Sequence, residues 1–523
     1  MKSFIQKHEK DVMGTLSGFD RLVFRGHLRR LSFVEGMTSY LSSVGVLLKD
    51  FGKHVLQVTG RLKEASLALA ARTLRPVKYL QSSQIHKDDV AREIAAQDNI
   101  SEGLICVLTC VEPCRSFEIY RNREMKKLEL QHRFRKCLHI YHYFLDPHFG
   151  FMSARIQTWF PMSIQVCING REWLARQMDA QGIGYQQRDN CFTWIEDLSR
   201  AQELMDRLLR SSWPVILNKI ARQLNPIHHE LFDQFPMMYY WSVYQSEWAT
   251  DIIFKSPERL AQIYPQLLRH AITTFQSPDV MRFLGRKIPP QGKVPHAFLG
   301  EVRSHLKERP EGIRIKHWVG VNHIKLYDKQ GSDLRVETTI NNPHDFKVFR
   351  LKEGDPNADL DWRPLRKGVP DLYRRAEVSQ AANNRYLNAL ASANDTEPLG
   401  KFTETLCRPT AWKDKRVRAI NVYAPDDLAL LKATSRGEFN INGFRNRDLR
   451  NILYSQDPEI TAKQKRCQSA AVTRKIRLLR AHGLIKKVAK TNRYLLTAHG
   501  SKAITALLAS LNASSDLLIK SAA

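Results

Sequence analysis

The amino-acid sequence predicts a multidomain α+β protein with a mixed, largely antiparallel sheet region, a helical middle and a C-terminal winged helix. Three observations support this prediction. The chain has 523 residues, which suggests roughly two to four domains. Strand-like runs alternate with helical patterns over its first part. Near the C-terminus, residues 463–493 hold eleven Lys or Arg and no Asp or Glu, with apolar residues at helical spacing.

Residues 1–195 are predicted to form an α+β domain with an antiparallel sheet. The apolar runs 103–111 and 114–122 are separated by Glu112-Pro113, so we expect them to pair with each other as a hairpin. A helix is expected directly after Asn169-Gly170, which ends a strand. The other predicted strands are 17–28, 137–145, 149–160 and 162–168, and the predicted helices are 33–58, 65–74, 87–97 and 171–181.

The middle of the chain is predicted to be a helical region plus a β-hairpin, residues 196–350. Repeated prolines break its helices, and the sequence Asp-Lys-Gln-Gly at 328–331 is typical of a hairpin turn. An aromatic cluster at 237–251 is interpreted as core, and the alternatives are a stacking platform for unpaired bases or nucleophilic tyrosines, Tyr239, Tyr240 and Tyr244. Residues 351–419 are rich in Pro, Asn and charge, which indicates a connector around one helix.

Residues 420–523 are predicted to form a winged-helix DNA-binding domain. Helical patterns at 424–435, 444–454 and 469–483 precede a two-stranded wing at 484–497 and a closing helix at 500–511. Gly483 stands where a helix C-cap is expected. The phrasing LLRAHGLIKKV followed by NRYLLTAHG resembles MarR-type winged-helix regulators. That resemblance implies a recognition helix that enters the DNA major groove and a wing that contacts the backbone.

Composition indicates a polyanionic partner. Lys and Arg number 81 against 53 Asp and Glu, for a net charge of +28, which favours nucleic acid. DNA is favoured and RNA stays possible, because composition does not separate them. No apolar run approaches a membrane span, so no membrane partner is expected. The oligomeric state stays open. Eight scattered cysteines and no secretion signal predict a cytoplasmic protein, nucleoid-associated if bacterial.

The basic run supplies the candidate nucleic-acid contacts. Residues early in the third helix would touch base edges, those on its flank would meet phosphates, and those on the wing would contact the backbone or the minor groove. The alternative is a solvated basic face used only for protein contacts. The predicted contact residues are Gln468, Ser469, Thr473, Arg474, Lys475, Arg477, Arg480, Lys486, Lys487, Lys490 and Arg493.

Four upstream carboxylates and one tyrosine are candidate catalytic residues. Carboxylates brought together could hold Mg²⁺ or Mn²⁺ for phosphodiester chemistry, and a tyrosine could serve as nucleophile. The plainer alternatives are ion pairs with neighbouring arginines, a turn before Pro147, and core packing. No cysteine or histidine set has zinc spacing. The candidates are Asp20, Glu112, Asp146, Glu337 and Tyr244.

Residues 323–342 carry a second resemblance. Their phrasing, K-x-Y-D-K and then L-R-V-E, resembles a segment of phage and plasmid replication initiators that work by rolling circle. The resemblance implies that strand-borne Arg and Glu belong to a nuclease fold. The alternative is a basic hairpin that contacts phosphate, or a plain strand pair. The residues concerned are Lys325, Tyr327, Lys329, Arg335 and Glu337.

These patterns favour a nucleic-acid-binding protein of a prokaryote or mobile element, acting on duplex DNA through its C-terminal domain. An alternative is a metal-dependent nuclease, transposase-like recombinase or replication initiator that the winged helix directs to its site. A second alternative is a transcription regulator or an RNA-binding protein. The chain has no GxxxxGK[ST], HExxH or GxSxG motif, so P-loop ATPase, zincin and nucleophile-elbow hydrolase chemistry gain no support.

Overall fold

The computed structural model describes residues 1–286, 288, 298, 300–309, 312–355, 359–392, 399–413, 415–436, 439, 443–454, 460–488 and 491–513. Over these residues the protein is mixed α/β, which confirms the predicted α+β class at that level. None of the described helices is both long and apolar enough to cross a membrane.

The helices are mostly short. They are α1 (Lys2–Lys7), α2 (Val34–Ser43), α3 (Phe51–Arg72), α4 (Lys87–Gln97), α5 (Gly170–Gln181), α6 (Leu198–Leu208), α7 (Trp213–Leu224), α8 (His228–Leu231), α9 (Pro257–Thr273), α10 (Ser277–Phe283), α11 (Leu372–Leu390), α12 (Leu399–Leu406), α13 (Pro425–Thr434), α14 (Asn446–Leu453), α15 (Ala462–Ala481) and α16 (Ala498–Asn512). The longest described ones are α3, α11 and α15, with 22, 19 and 20 residues.

The strands range from three residues to twenty. They are β1 (Val12–Leu28), β2 (Val77–Leu80), β3 (Gly103–Asn122), β4 (Lys127–Asp146), β5 (Gly150–Gln157), β6 (Ile164–Asn169), β7 (Tyr185–Arg188), β8 (Cys191–Ile195), β9 (Tyr239–Phe254), β10 (Val302–Arg309), β11 (Gly312–Val319), β12 (Asn322–Lys329), β13 (Asp333–Ile340), β14 (Lys347–Arg350), β15 (Asp361–Pro364), β16 (Thr410–Trp412), β17 (Lys415–Val417), β18 (Ile485–Lys487) and β19 (Tyr494–Leu496).

The chain forms two compact units. The amino-terminal unit comprises Leu16–Trp248 and Arg366–Tyr373, and the carboxy-terminal unit comprises Met1–Thr15, Ala249–Leu365 and Arg374–Ala523. Strands β1 and β9 each contribute residues to both units, because each unit's boundaries fall inside them. Neither unit is a single continuous segment.

The amino-terminal unit is built on a sheet in the order β9-β1-β6-β5-β4-β3-β2. Strands β3 to β6 and the β1–β6 pair are antiparallel, whereas β2 runs parallel to β3. The predicted hairpin between 103–111 and 114–122 is wrong, since both runs form one strand, β3, that pairs with β4. Pro113 fits inside it because β2 pairs with β3 only up to Cys110, so Pro113 lies where that edge has no second strand.

The aromatic run in the middle of the chain is a strand, β9, and not part of a helical region. Tyr239, Trp241 and Val243 are buried while Tyr240 and Tyr244 are exposed. This alternation has the two-residue period of a strand with one face packed. The interpretation of the run as core therefore holds for one face of β9 only.

Helix α5 begins where the sequence predicts it and packs closely on β1. The side chain of Asn169 caps it, because its Oδ1 accepts hydrogen bonds from the backbone N–H of Arg171 at 2.7 Å and of Glu172 at 3.2 Å. A Cβ atom at Gly170 would lie 1.8 Å from the carbonyl oxygen of Phe19. Only glycine allows this approach.

Two glycine substitutions in the amino-terminal unit are expected to have opposite effects on stability. Gly170→Ala forces α5 away from β1 and is expected to lower the free energy of unfolding by about 1–3 kcal/mol. Gly60→Ala, at a helical position with no atom within 4 Å of the added Cβ, is expected to raise it by roughly 0.5–1 kcal/mol. Urea unfolding of the two variants measures both. Equal effects would contradict the packing of α5 on β1.

The carboxy-terminal unit contains a second sheet segment in the order β10-β11-β12-β13-β9. The predicted hairpin turn is confirmed between β12 and β13, where Gln330 and Gly331 adopt φ of 57° and 75°. Helices α9, α10 and α11 supply buried residues to the core of this segment. A separate core lies in the last part of the chain, with Val472, Ile476 and Leu479 among its residues.

The last part of the chain has three successive helices, α13, α14 and α15, then the β18–β19 hairpin and α16. Helix α15 begins at Ala462, seven residues before its predicted start at 469 (469 − 462). The earlier start follows from a capping box, in which the Thr461 Oγ1 accepts from Gln464 N at 3.3 Å and Gln464 Oε1 accepts from Thr461 N at 2.9 Å. Gly483, with φ of 68°, follows its end as predicted.

Candidate nucleic-acid interface and carboxylate cluster

Helix α15 presents a basic face to solvent. Lys463, Arg466, Arg474 and Arg477 are exposed, and their spacing of three, eight and three residues keeps them on one side of a helix with 3.6 residues per turn. Ala470, also exposed, lies midway along this stripe. The opposite side of the helix carries the buried apolar residues of the core. The surface of Lys463, Arg466, Arg474 and Arg477 is called the basic face below.

Two predicted contact residues, Ser469 and Thr473, lie at the junction of α14 and α15. The side-chain amide of Asn446 donates to the Ser469 carbonyl and to Thr473 Oγ1, each at 2.9 Å. Ser469 Oγ donates in return to Asn446 Oδ1 at 3.0 Å. These bonds fix the angle between the two helices. Thr473 stays exposed beside the basic face, whereas Gln468 and Ser469 are half-buried.

Two of the predicted cations of α15 are turned towards protein. The Arg480 guanidinium carbon lies 4.9 Å from the centroid of the Trp412 ring and 5.9 Å from that of Tyr494. Lys475 is half-buried, and its charge helps to lower the pKa of Asp427, after the larger effect of the hydrogen bonds from Arg418. Arg474 and Arg477 are the two predicted α15 cations that face solvent.

The β18–β19 hairpin adds further positive charge. Lys486 and Lys487 are exposed on β18, and Lys490 lies outside the described residues. The guanidinium carbon of Arg493 is 5.5 Å from the Phe349 ring centroid. Burial lowers the pKa of Arg493, and the nearby charges of Arg445 and Arg447 lower it further.

Sequence reasoning missed part of this surface. Lys463 and Arg466 were not among the predicted contacts because the helix was expected to begin after them. The signal was present in the capping box at Thr461 and Gln464 and in the helical spacing of the four exposed cations. Arg445, at the start of α14, adds to the charge beside the hairpin without having been predicted.

Asp20 lies buried on β1 in the amino-terminal unit. Both of its carboxylate oxygens accept hydrogen bonds from the side-chain amide of Asn190, at 2.9 and 3.1 Å. The expected alternative, an ion pair with Arg21 or Arg25, is not what the structure shows for these arginines. Arg21 donates to Cys167 Sγ at 3.2 Å, and the Arg25 guanidinium lies over the Tyr244 ring. The amide of Asn190 fixes the orientation of the Asp20 carboxylate.

A second carboxylate approaches Asp20. Oxygen atoms of Asp20 and Glu247 lie within 4.8 Å of each other, a separation at which two negative charges repel by about 3 kcal/mol at an effective dielectric constant near 20. Burial raises the pKa of Glu172, and the charges of Asp189 and Asp20 add to the rise while two arginines oppose it. Glu247 on β9 therefore lies beside Asp20, and Glu172 on α5 is close enough to Asp20 and to Asp189 of the β7–β8 turn for their charges to act on it. Sequence reasoning missed Glu247, which lies on a strand expected to be helical.

Glu112 and Asp146 do not share a site. The β3–β4 register places Glu112 opposite Cys137, nine residues from Asp146 along β4 (146 − 137), or roughly 30 Å at about 3.4 Å per residue. Asp146 accepts from the backbone N–H of His148 at 2.8 Å and of Phe149 at 3.0 Å, which is a turn role.

Glu112 is enclosed by donors. Its carboxylate accepts from Lys87 at 2.9 Å, from Arg155 at 3.2 Å and from the Tyr141 hydroxyl at 2.7 Å. Burial raises the pKa of Glu112, but these hydrogen bonds and charges outweigh it and lower the pKa overall. The arrangement is that of a buried ion-pair network.

Glu337 lies in the carboxy-terminal unit in a buried network with two residues of the rolling-circle resemblance. Lys325, directly opposite on β12, donates to Glu337 Oε1 at 2.5 Å, and the Tyr327 hydroxyl donates to Oε2 at 2.8 Å. Burial raises the pKa of Glu337, but Lys325 and Tyr327 lower it to about 2. Arg335 forms a bidentate pair with Asp251, at 2.5 and 3.0 Å.

Tyr244 is exposed on β9 beside a cation. Its ring centroid is 5.9 Å from the Arg25 guanidinium carbon, and its side chain is 52% exposed. This position is accessible from solvent. Comparison with protein-family models, with curated proteins and with solved structures found no match to this chain.

Proposed function

We propose that this protein binds nucleic acid, and duplex DNA in particular, through a C-terminal winged helix in which α15 is the recognition helix and the β18–β19 hairpin is the wing. The observation that carries the proposal is the basic face of α15. Its four exposed cations lie in a run with no acidic residue from 463 to 493. An idle surface usually mixes charges of both signs.

Duplex DNA is favoured over duplex RNA by the shape of the surface. The B-form major groove is wide enough to admit an α-helix, whereas the A-form major groove is deep and narrow. The basic face lies on a single helix, α15, with a small residue, Ala470, midway along it, so the helix backbone can approach the base edges closely. Lys486 and Lys487 would neutralise phosphates beside the groove.

The nucleic acid that the protein retains in its host tests this proposal. Full-length protein is purified without nuclease treatment, and the bound nucleic acid is extracted, digested separately with DNase or RNase, and sequenced. We expect retained DNA. Protein that carries no nucleic acid and binds no duplex in fluorescence anisotropy would contradict the proposal. Retention of RNA in place of DNA would identify RNA, the alternative partner, as the ligand and would contradict the assignment to DNA.

A second candidate function is favoured by Asp20 and Glu247. Two carboxylates within 4.8 Å, one of them oriented by an amide, are a donor set that suits Mg²⁺ or Mn²⁺. A divalent cation bound there would supply a low-pKa water and neutralise charge on a phosphodiester. On this proposal the protein cleaves the strand that its C-terminal domain binds, by attack of water on phosphorus and departure of a sugar hydroxyl.

A further inference from the structure

A second basic surface lies on the open face of the sheet in the amino-terminal unit. The strand register places Arg25, Gln165, Arg155 and Tyr141 side by side on β1, β6, β5 and β4. All four are half-buried, while the residues next to them along each strand are buried. This is the pattern of a sheet with one face packed and the other face partly exposed to solvent.

Two arginine–tyrosine pairs extend this surface along β1 and β9. The guanidinium carbon of Arg25 lies 5.9 Å from the centroid of Tyr244, and that of Arg29 lies 5.7 Å from the centroid of Tyr240. Tyr240 and Tyr244 are four residues apart on β9, or about 14 Å, whereas Arg25 lies on β1 and Arg29 directly follows its end at Leu28. The His27 ring lies 5.3 Å from the Tyr240 ring. Tyr240 and Tyr244 are 46% and 52% exposed.

Only part of the positive charge on this face is matched by acidic side chains. Among the described residues no ion pair joins Arg25, Arg29 or Arg115 to a carboxylate, whereas Arg155 pairs with Glu112 at 3.2 Å. Burial lowers the pKa of Arg25, and the positive charges of Arg155 and Arg115 lower it further, whereas the interaction with Tyr244 raises it. Like charges held this close favour an anionic ligand.

We propose that this arginine–tyrosine ladder, made of Arg25, Arg29, Tyr240 and Tyr244, binds single-stranded nucleic acid. The arginines would hold phosphates, and unpaired bases would stack on the tyrosine rings. An unpaired strand fits better than a duplex, because stacking on the tyrosine rings needs exposed base faces, which a duplex hides. The ladder is a surface separate from the basic face of α15 and does not depend on that surface binding duplex DNA.

Tyrosine substitutions test the stacking directly. Binding of labelled oligothymidylate and oligouridylate is measured by fluorescence anisotropy. The double variant Tyr240→Leu/Tyr244→Leu is expected to raise the Kd about a hundredfold, about tenfold for each ring. The double variant Tyr240→Phe/Tyr244→Phe keeps both aromatic rings, so its Kd is expected to stay within roughly a few-fold of the wild-type Kd. Tyr79→Leu, at a tyrosine that is 57% exposed on β2, is the matched control and should bind as wild type.

The arginines and the separation of the two surfaces are tested in the same assay. Arg25→Gln is expected to raise the Kd for single strands about tenfold, and Arg72→Gln, an exposed arginine on α3, should not change it. The tyrosine double variant is expected to keep its duplex affinity. The proposal would be overturned if the leucine double variant bound single strands as wild type does, or if the leucine and phenylalanine variants lost equal affinity. It would also be overturned if the leucine double variant lost as much affinity for duplex as for single strands. A preference between the two oligonucleotides assigns the strand to DNA or RNA.

Discussion

Replacing Lys463, Arg466, Arg474 and Arg477 together with alanine is expected to lower the affinity for duplex DNA about a thousandfold. Each cation that meets a phosphate contributes about 1 kcal/mol or more, and four such contacts amount to about three powers of ten in Kd. Alanine has the highest helix propensity, and none of the four side chains is buried. The helix and its core should therefore persist, which circular dichroism and the unfolding midpoint check.

A charge-matched control separates this surface from net charge. Lys49, Lys53, Lys63 and Arg72 are exposed around and on α3, and their replacement by alanine removes the same four charges from the amino-terminal unit. We expect this control to lose less than about tenfold in duplex affinity, since it changes only the long-range field. Equal losses in the two quadruple variants would show that total charge, and not the basic face, governs binding.

Asp20→Asn is expected to lower Mn²⁺ affinity, and any Mg²⁺- or Mn²⁺-dependent cleavage of DNA, by roughly a hundredfold or more. The substitution keeps the volume of the side chain and an acceptor for Asn190, but it removes one of two negative charges that lie within 4.8 Å of each other. Calorimetric titration with Mn²⁺ gives a result that does not depend on cleavage. Supercoiled plasmid with each metal then reports strand breaks.

Graded variants make this second prediction specific. Asn190→Ala leaves both carboxylates but frees Asp20 to reorient, so a loss of about 10- to 100-fold is expected. Glu247→Gln should behave like Asp20→Asn, and Glu203→Gln, an exposed carboxylate on α6, should behave like wild type. Wild-type Mn²⁺ binding by Asp20→Asn would exclude a metal site there. Glu337→Gln tests separately the predicted catalytic role of that residue.

Local signals predicted much of the fold and failed at identifiable places. Helix α5 was predicted from Asn169-Gly170, and the β12–β13 turn was predicted from residues that adopt positive φ. Both predictions were correct because a helix start and a hairpin turn are determined by residues that are adjacent in the sequence. The sequence predicted two strands in place of β3, because a proline inside a strand is tolerated only at a sheet edge. Pro113 lies at such an edge because β2 is short and does not extend to it, which the sequence near Pro113 does not show. Strand β9 was assigned to a helical region because its aromatic residues obscured the two-residue period.

The candidate sites were predicted to different extents for the same reason. The cations of α15 are close in sequence, so their positions followed once the helix was predicted, apart from Lys463 and Arg466. Asp20 and Glu247 lie on strands at opposite ends of the amino-terminal unit's sequence, and only the pairing of β1 with β9 brings them together. The ion pairs of Glu112 with Lys87 and Arg155 likewise join segments that are distant in the sequence, so they could not be predicted from it.

The salt dependence of duplex binding tests the central claim most directly. The slope of log K against log salt concentration is about −0.9 for each phosphate that a protein neutralises. Wild type and the Lys463/Arg466/Arg474/Arg477→Ala variant are titrated with the same duplex over a range of salt. The basic face predicts that the slope of the variant is smaller in magnitude by about 3.6, for four lost contacts. Identical slopes would contradict binding through this face.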